Sequence, residues 1–241
     1  ALQKETLLLG QDAHQAFPLM VPRPYLSRIE QGNPADPLLL QILPIAQEMI
    51  PVSGYSQDPL AEQDHNPQKA LVHKYQSRVL VITSGTCAIN CRYCFRRHFP
   101  YADNHLNSSQ WDSLVSYIKA HPSINEVILS GGDPLMVKDK QLAQRINKLA
   151  DLPQLKRIRI HTRLPVVIPS RVNEEMIQWI KATPLKVIMV WHINHANEID
   201  QAVIQAAKKL TDAGVTLLNQ GVILKGINDT VNAQVDLSEA L

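Results

Sequence analysis

Cys87, Cys91 and Cys94 are all the cysteines of the chain, and their spacing, C-x3-C-x2-C, constrains it more than any other feature. Three sulfurs cannot form a disulfide framework without leaving one over, and a loop this short favours metal ligation. Three thiolates also fall one short of a closed four-ligand site. On an iron–sulfur cluster they would hold three irons and leave the fourth open to an outside ligand. The competing reading is structural zinc, with His98 completing a Cys3His set. Structural zinc usually joins ligand pairs from separate turns, and four ligands between Cys87 and His98 would staple little.

Residues 1–74 and 75–241 read as different kinds of chain. The first stretch holds nine of the 16 prolines, a density that breaks helices into short pieces and disfavours central strands. Short helices are predicted near Lys4–Leu9, Tyr25–Gln31 and Pro37–Ile42, with an irregular run from Pro51 to Pro67. Leu38-Leu39-Leu40 and Ile42-Leu43 need burial, so the segment reads as a helical extension wrapped on a core.

From Arg78 onward the pattern is periodic. Val79-Leu80-Val81-Ile82 reads as a strand buried on both faces. Trp111, Leu114, Val115 and Ile118 recur at helical spacing. Val127-Ile128-Leu129, Leu155 to Arg163, Val187 to Trp191 and Val215 to Leu224 read as four further strands. Between them, Leu142, Ile146 and Leu149 mark one helix and Asn173 caps another that runs through Trp179. Ile199, Val203, Ala206 and Leu210 form a stripe stopped by Gly214, and a last helix starts near Thr230. Five strand-then-helix units predict a parallel sheet. No G-x-G-x-x-G follows the first strand, so a barrel or partial barrel is expected, with chemistry at the C-terminal strand ends.

The unusual residues fall at those ends. The three cysteines and Arg96 follow the first strand, and Gly131-Gly132-Asp133 the second. The third ends in His161 and Arg163, the fourth in His192, Asn194 and His195, and the fifth carries Asn219 and Gln220. The two glycines would let backbone approach a ligand closely while Asp133 accepts from an ammonium. Arg96 and Arg97 read by default as a solvated pair, yet a loop at a barrel mouth gives an arginine fork a carboxylate or phosphate to bind. Arg78 is ambiguous, and Arg163 suits a helix carboxylate equally well. A histidine taken alone is more often a satisfied core residue; His192, His195 and Asn194 together shift the balance toward a pocket. Gln220 must find partners, since a buried unsatisfied amide costs about 1–3 kcal/mol. Trp111 and Trp179 read as core, and Trp191 fits either role.

The cysteine loop, with Tyr93 just before its third cysteine, resembles the radical S-adenosylmethionine (SAM) enzymes. In that superfamily three cysteines hold a [4Fe-4S] cluster, and SAM chelates the open iron and is cleaved to a 5′-deoxyadenosyl radical. More narrowly, Cys91–Phe99, Ser130–Leu135, Arg163–Pro169, His192–Ile199 and Leu218-Asn219-Gln220, in that order, resemble lysine 2,3-aminomutases. Phe95 to Tyr101 looks most like the branch that β-lysylates elongation factor P. The resemblance implies an α/β partial (β/α)6-type radical SAM barrel over 75–241, with the proline-rich helical extension over 1–74.

It also implies roles. Cys87, Cys91 and Cys94 would be the cluster ligands, and Tyr93, Gly131, Gly132 and Asp133 would bind SAM. Arg78 would bind pyridoxal 5′-phosphate (PLP), Arg96 the lysine carboxylate, and His192 and Gln220 would line the reacting pocket. The family's Schiff-base lysine and sixth strand are expected beyond Leu241, and Lys225 is not that lysine. The implied reaction is conversion of (S)-α-lysine to (R)-β-lysine for elongation factor P and its lysine ligase. A free-lysine aminomutase and, in a different class, a zinc-stabilised binding module are the alternatives. A flavodoxin-like or ferredoxin-like reductant is an implied partner.

Charge and hydropathy bound the rest. A net charge of +2 makes no case for nucleic acid or an anionic membrane surface. The longest apolar runs, such as Val187–Val190, are too short to span a bilayer. No signal peptide is evident at the start, and clustered reduced cysteines point to the cytoplasm. The extension suits either covering the barrel mouth or holding copies together in a homo-oligomer.

Overall fold

The computed structural model describes residues 11–56, 59–60, 65–98 and 106–241. Its six strands lie in one sheet in the order of the chain: β1 (Leu71–Tyr75), β2 (Arg78–Ser84), β3 (Glu126–Gly131), β4 (Arg157–Thr162), β5 (Lys186–Trp191) and β6 (Thr216–Asn219). β1 runs antiparallel to β2, and every later pair is parallel. Helices α1 (Ser108–Ala120), α2 (Asp139–Ala150), α3 (Glu174–Ala182) and α4 (Gln201–Asp212) connect the parallel strands, and α5 (Val231–Ala240) follows β6. The sheet is open, a partial barrel with β1 and β6 at its edges.

Alternation along each strand sorts the side chains onto two faces. Val79, Val81, Val127, Leu129, Ile158, Ile160 and Met189 are buried in the core with Leu114, Ile118, Leu142, Ile146, Met176 and Leu210 of the helices. Each such side chain contributes about 1.5–3 kcal/mol by leaving water, so this face carries the fold. The helix ends follow their chemistry. Asn173 accepts from the Met176 amide, Thr230 from the Ala233 amide, and Gly214 takes φ +88° after α4.

Four expectations change. Leu80 and Ile128 are only half-buried, because their face lines a trough with polar residues and not a second packed layer. Residues 71–75 are a strand, pairing Leu71 with Val81 and Val72 with Leu80, so the break expected at 74/75 falls inside β1. Five residues following an irregular run carry too little alternation to show this. The fifth expected strand, to Leu224, stops at Asn219. There the Asn219 side chain accepts from Ile193 N (3.0 Å) and donates to Ile193 O (3.1 Å), replacing the ladder. Finally, the helix expected over Tyr25–Gln31 is the turn Arg23–Leu26, and that over Pro37–Ile42 is the 3-10 turn Leu39–Gln41. Asp36 explains the latter by accepting from the Leu38 and Leu39 amides. The helix expected over Lys4–Leu9 lies outside the described residues.

Candidate functional site

β2 delivers the chain into the cysteine loop, and the N-terminal extension grips that loop from outside. Asn90 donates to the carbonyls of Met20 (3.1 Å) and Pro18 (2.8 Å), through backbone and side chain respectively. Arg92 donates to Gln41 O (2.9 Å) from its amide and to Leu40 O (2.9 Å) from its guanidinium. Glu48 pairs with both Arg92 (2.8 Å) and Arg97 (2.7 Å). The adjacent arginines therefore part ways. Arg97 fastens the loop outward, while Arg96, only 8% exposed, turns inward and donates to Ser130 Oγ (3.1 Å).

The glycine turn packs directly beneath the cysteine loop. Gly132 N donates to Ser84 O (2.7 Å) and Asp133 N to Thr86 O (2.8 Å). A Cβ at Gly132 would stand 2.5 Å from Thr86 O, and Gly131 combines φ +115° with a Cβ position 2.8 Å from Ser84 O. The close approach that requires glycine is thus to the loop's own backbone.

The expected role of the Asp133 side chain needs correction. Its oxygens accept from the Leu135 amide (3.0 Å), the Arg163 and Leu164 amides (2.8 and 2.9 Å) and the Thr162 hydroxyl (2.7 Å). Burial pushes its pKa up, and these donors offset that in part. The carboxylate ties the end of β3 to the end of β4 and is not directed at an ammonium.

Arg163 resolves its ambiguity by doing two things at once. Nη2 donates to Glu198 Oε2 (2.8 Å), Gln41 Oε1 (2.7 Å) and the Tyr25 hydroxyl (3.2 Å); Nη1 donates to Cys91 Sγ (2.9 Å). Burial works against its charge, and Cys91 and Glu198 hold it protonated nonetheless. Glu198 is fully buried and also accepts from the amides of Asn194 (2.9 Å) and His195 (3.2 Å). Asn194 bonds Gln41 Oε1 (2.9 Å), and His195 Nδ1 accepts from Asn197 N (3.2 Å). Both belong to this knot and stand apart from the cavity.

Cys87, Cys91, Cys94, Tyr93, Arg96, Gly131, Gly132, Asp133, His192 and Gln220 all line one cavity of about 180 Å³ at the C-terminal strand ends. A second cavity, about 240 Å³, is lined by Arg78 and shares Phe95, Arg96, Ser130, His161, His192 and Gln220 with the first. Every candidate except Arg78 is thus gathered in one chamber, with Arg78 beyond a common wall. Its guanidinium lies over the Tyr75 ring at 4.5 Å.

Two imidazoles stand on that wall beside Arg96, Ser130 and Gln220. His161 and His192 stand edge to face, 5.9 Å apart, and the Nε2 of each is buried without a hydrogen-bond partner, while the His161 ring also interacts with the Gln220 side chain. Burial lowers the pKa of both to about 4, with His192 and Arg159 adding to the effect on His161, and Arg163 and Arg96 to that on His192. Both rings are neutral at pH 7. Burial also pushes the Cys87 and Cys94 thiols up, so a cation must arrive for them to ligate as thiolates.

His98 is exposed and does not line the cysteine cavity. Among the described residues no group of three or more His, Cys, Asp or Glu converges as ligands for a metal ion. A four-iron cluster makes a different demand, one thiolate at each of three corners. Three sulfurs around a shared cavity fit that demand, and the unsatisfied imidazoles fit a polar ligand beside it. His161 stands at a strand end in the sequence reading without a role, and a histidine at the C-terminal end of a parallel strand was the available signal. That reading missed Glu198, Gln41 and Tyr25, which no local pattern distinguishes.

A family model of the radical SAM superfamily matches residues 81–232. The L-lysine 2,3-aminomutase of Escherichia coli (strain K12) is 48% identical over 238 residues, covering 99% of this chain and 69% of that protein. That of Haemophilus influenzae (strain ATCC 51907 / DSM 11121 / KW20 / Rd) is 50% identical over 229 residues, covering 95% and 68%. The L-lysine 2,3-aminomutase of Clostridium subterminale is 38% identical over 221 residues, covering 90% and 52%.

Proposed function

On the premise that the chain belongs to the radical SAM superfamily, and within it to the lysine 2,3-aminomutase family, we propose that it moves the 2-amino group of L-lysine to carbon 3. The observation that carries this reading is the single chamber shared by the three cysteines, the glycine turn, Arg96 and the two unsatisfied imidazoles. Bound there, the cluster and SAM would supply a radical that removes an unactivated hydrogen, which no side-chain base can do.

The chain's own residues bind, orient and exclude water. Cys87, Cys91 and Cys94 would hold the cluster through their three sulfurs. Tyr93 and the Gly131-Gly132 backbone form the surface on which SAM lies, and Asp133 keeps that backbone in register with Thr86. Arg96, buried against Ser130 on the wall common to both cavities, receives the lysine carboxylate. Neutral His192 offers a hydrogen bond without adding a charge to the chamber, with Gln220 beside it. Arg78, on the wall of the second cavity, would hold the phosphate of PLP. The described residues fit that phosphate and not the cofactor's aldehyde. The lysine on this cavity's wall, Lys74, donates its ammonium to Leu60 O (2.8 Å).

The extension up to β1 acts as the clamp of the cysteine loop, and the sheet with its helices as the catalytic core. The resemblance of Phe95 to Tyr101 supports delivery of the product to elongation factor P in the cytoplasm. Residues 99–101 of that stretch lie outside the described residues. Among the described residues no helix is long and apolar enough to cross a membrane.

The test is anaerobic purification and reconstitution of the chain, followed by iron, sulfide and zinc analysis and by incubation with SAM, a reductant and lysine. Four irons and four sulfides per chain are expected on composition grounds. Stoichiometric zinc without sulfide overturns the reading. β-Lysine that the elongation factor P ligase refuses would assign the product to free lysine metabolism.

A further inference from the structure

The two arms of one buried guanidinium face in different directions, and nothing in the proposed reaction uses that division. Arg163 commits Nη2 to Glu198, Gln41 and Tyr25, all three fully buried or nearly so. Nη1 is left to donate to Cys91 Sγ at 2.9 Å. The guanidinium also lies over the rings of Tyr25 (5.3 Å) and Tyr93 (5.5 Å), which keep water from it. A salt bridge needed only for stability would have no reason to direct one arm at a sulfur. We infer that Arg163 is a positioning residue for the cluster: it fixes the Cys91 sulfur and raises the cluster's reduction potential through a charge-assisted N–H···S hydrogen bond.

The physical chain is short. One-electron reduction of the cluster, by an external one-electron donor, adds one negative charge shared among its irons and sulfurs. A donor held against a ligating sulfur stabilises that added charge more than the oxidised form, so the potential rises. Burial of Arg163 lowers the local dielectric around its charge and strengthens the effect. Glu198 does not cancel it, because it lies on the far arm and the positive end of the pair faces Cys91. Gln41 and Tyr25 bring the N-terminal extension into the same device, as outer supports that orient a ligand's neighbour.

This inference rests on the cysteines being cluster ligands. A reconstituted chain without iron and sulfide fails that reading, whereas a loaded cluster of unaltered potential fails only this one. The experiment is redox titration of the reconstituted full chain, followed by electron paramagnetic resonance, in three forms: unaltered, Arg163→Lys, and Arg163→Gln combined with Glu198→Gln. The paired substitution leaves no unpaired charge in the buried site, so folding is protected.

With iron and sulfide content unaltered, the paired variant is expected to show a midpoint about 59 mV more negative. That is an about tenfold lower ratio of reduced to oxidised cluster at fixed potential for a one-electron couple. Arg163→Lys, which keeps the charge and one donor, is expected between the two. A paired variant with full cluster and an unmoved midpoint overturns the inference. So does Arg163→Lys at or above the unaltered value. A folded paired variant that holds no iron also overturns it, because Arg163 would then hold the cluster and not tune it.

Discussion

The two sides of the chamber are built on opposite principles. On one side the carboxylate oxygens of Asp133 and Glu198 and both Nη atoms of Arg163 are buried and taken up by the chain itself. On the other, the Nε2 atoms of His161 and His192 are buried without a partner, as is Arg163 Nε on the first side, although the His161 ring also interacts with the Gln220 side chain. An unmet buried polar atom costs about 1–3 kcal/mol, so a fold tolerates it where another molecule completes it. The first side is architecture and the second is a reception surface, and Asp133, Arg163, His161 and His192 all line one cavity, with Glu198 behind it.

The largest expected effect breaks the architectural side. Glu198→Ala strands the Arg163 charge in a water-free site, and about 3–5 kcal/mol of stability should be lost in urea unfolding. A loss under about 1 kcal/mol would mean the knot relaxes easily, and the comparison would fail.

The reception side should reveal itself through pH. Neutral His161 and His192 titrate near 4 when folded and near 6.5 when unfolded. Between those values the unfolded chain binds more protons, so stability is full above pH 6.5 and falls as pH drops toward 4. The loss is on the order of 3 kcal/mol per ring at most, at 1.36 kcal/mol per pKa unit. Urea midpoints of the ligand-free chain from pH 7 to 4 measure it, and the double substitution His161→Gln, His192→Gln should flatten the slope.

Smaller effects sharpen the boundary between the sides. Gly132→Ala places a methyl against Thr86 O and must shift the cysteine loop, at about 1–3 kcal/mol and with reduced iron content after reconstitution. His192→Gln should change stability by less than about 1 kcal/mol, because its Nε2 has no bond to lose. Its SAM affinity should nevertheless fall about tenfold in equilibrium dialysis, equivalent to about 1.4 kcal/mol. Unaltered binding would remove His192 from the reception surface.

What could be read from the sequence followed the range of the physics involved. Val79–Ile82, Val127–Leu129 and Val187–Trp191 announce strands because a short continuous apolar, β-branched run is a local pattern, and the parallel order follows from strand–helix alternation. Cys87, Cys91 and Cys94 carry their chemistry in their spacing. Asp133 was misread because an acidic residue after two glycines looks the same whether it faces a ligand or its own chain. Only the amides of Arg163 and Leu164, brought from another strand, decide between the two. β1 was too short to register, and Asn219 ended β6 through a side-chain clamp that composition does not reveal. The knot on Cys91 was illegible for the same reason of distance: its parts come from residues 25, 41, 163 and 198.

The unbroken strand order has a consequence in time. Each strand's partner is the one before it, so the sheet can be laid down unit upon unit while the chain is being made. The anchor behind Cys91 cannot. Tyr25 meets Arg163 across 138 residues, and Gln41 meets Glu198 across 157, and such wide loops close only when both ends exist. The cysteines are therefore in place beside β2 through most of synthesis, while the buttress behind them waits for residue 198. A nascent chain halted before that point has every sulfur that the cluster needs and only part of the scaffold that would hold them steady.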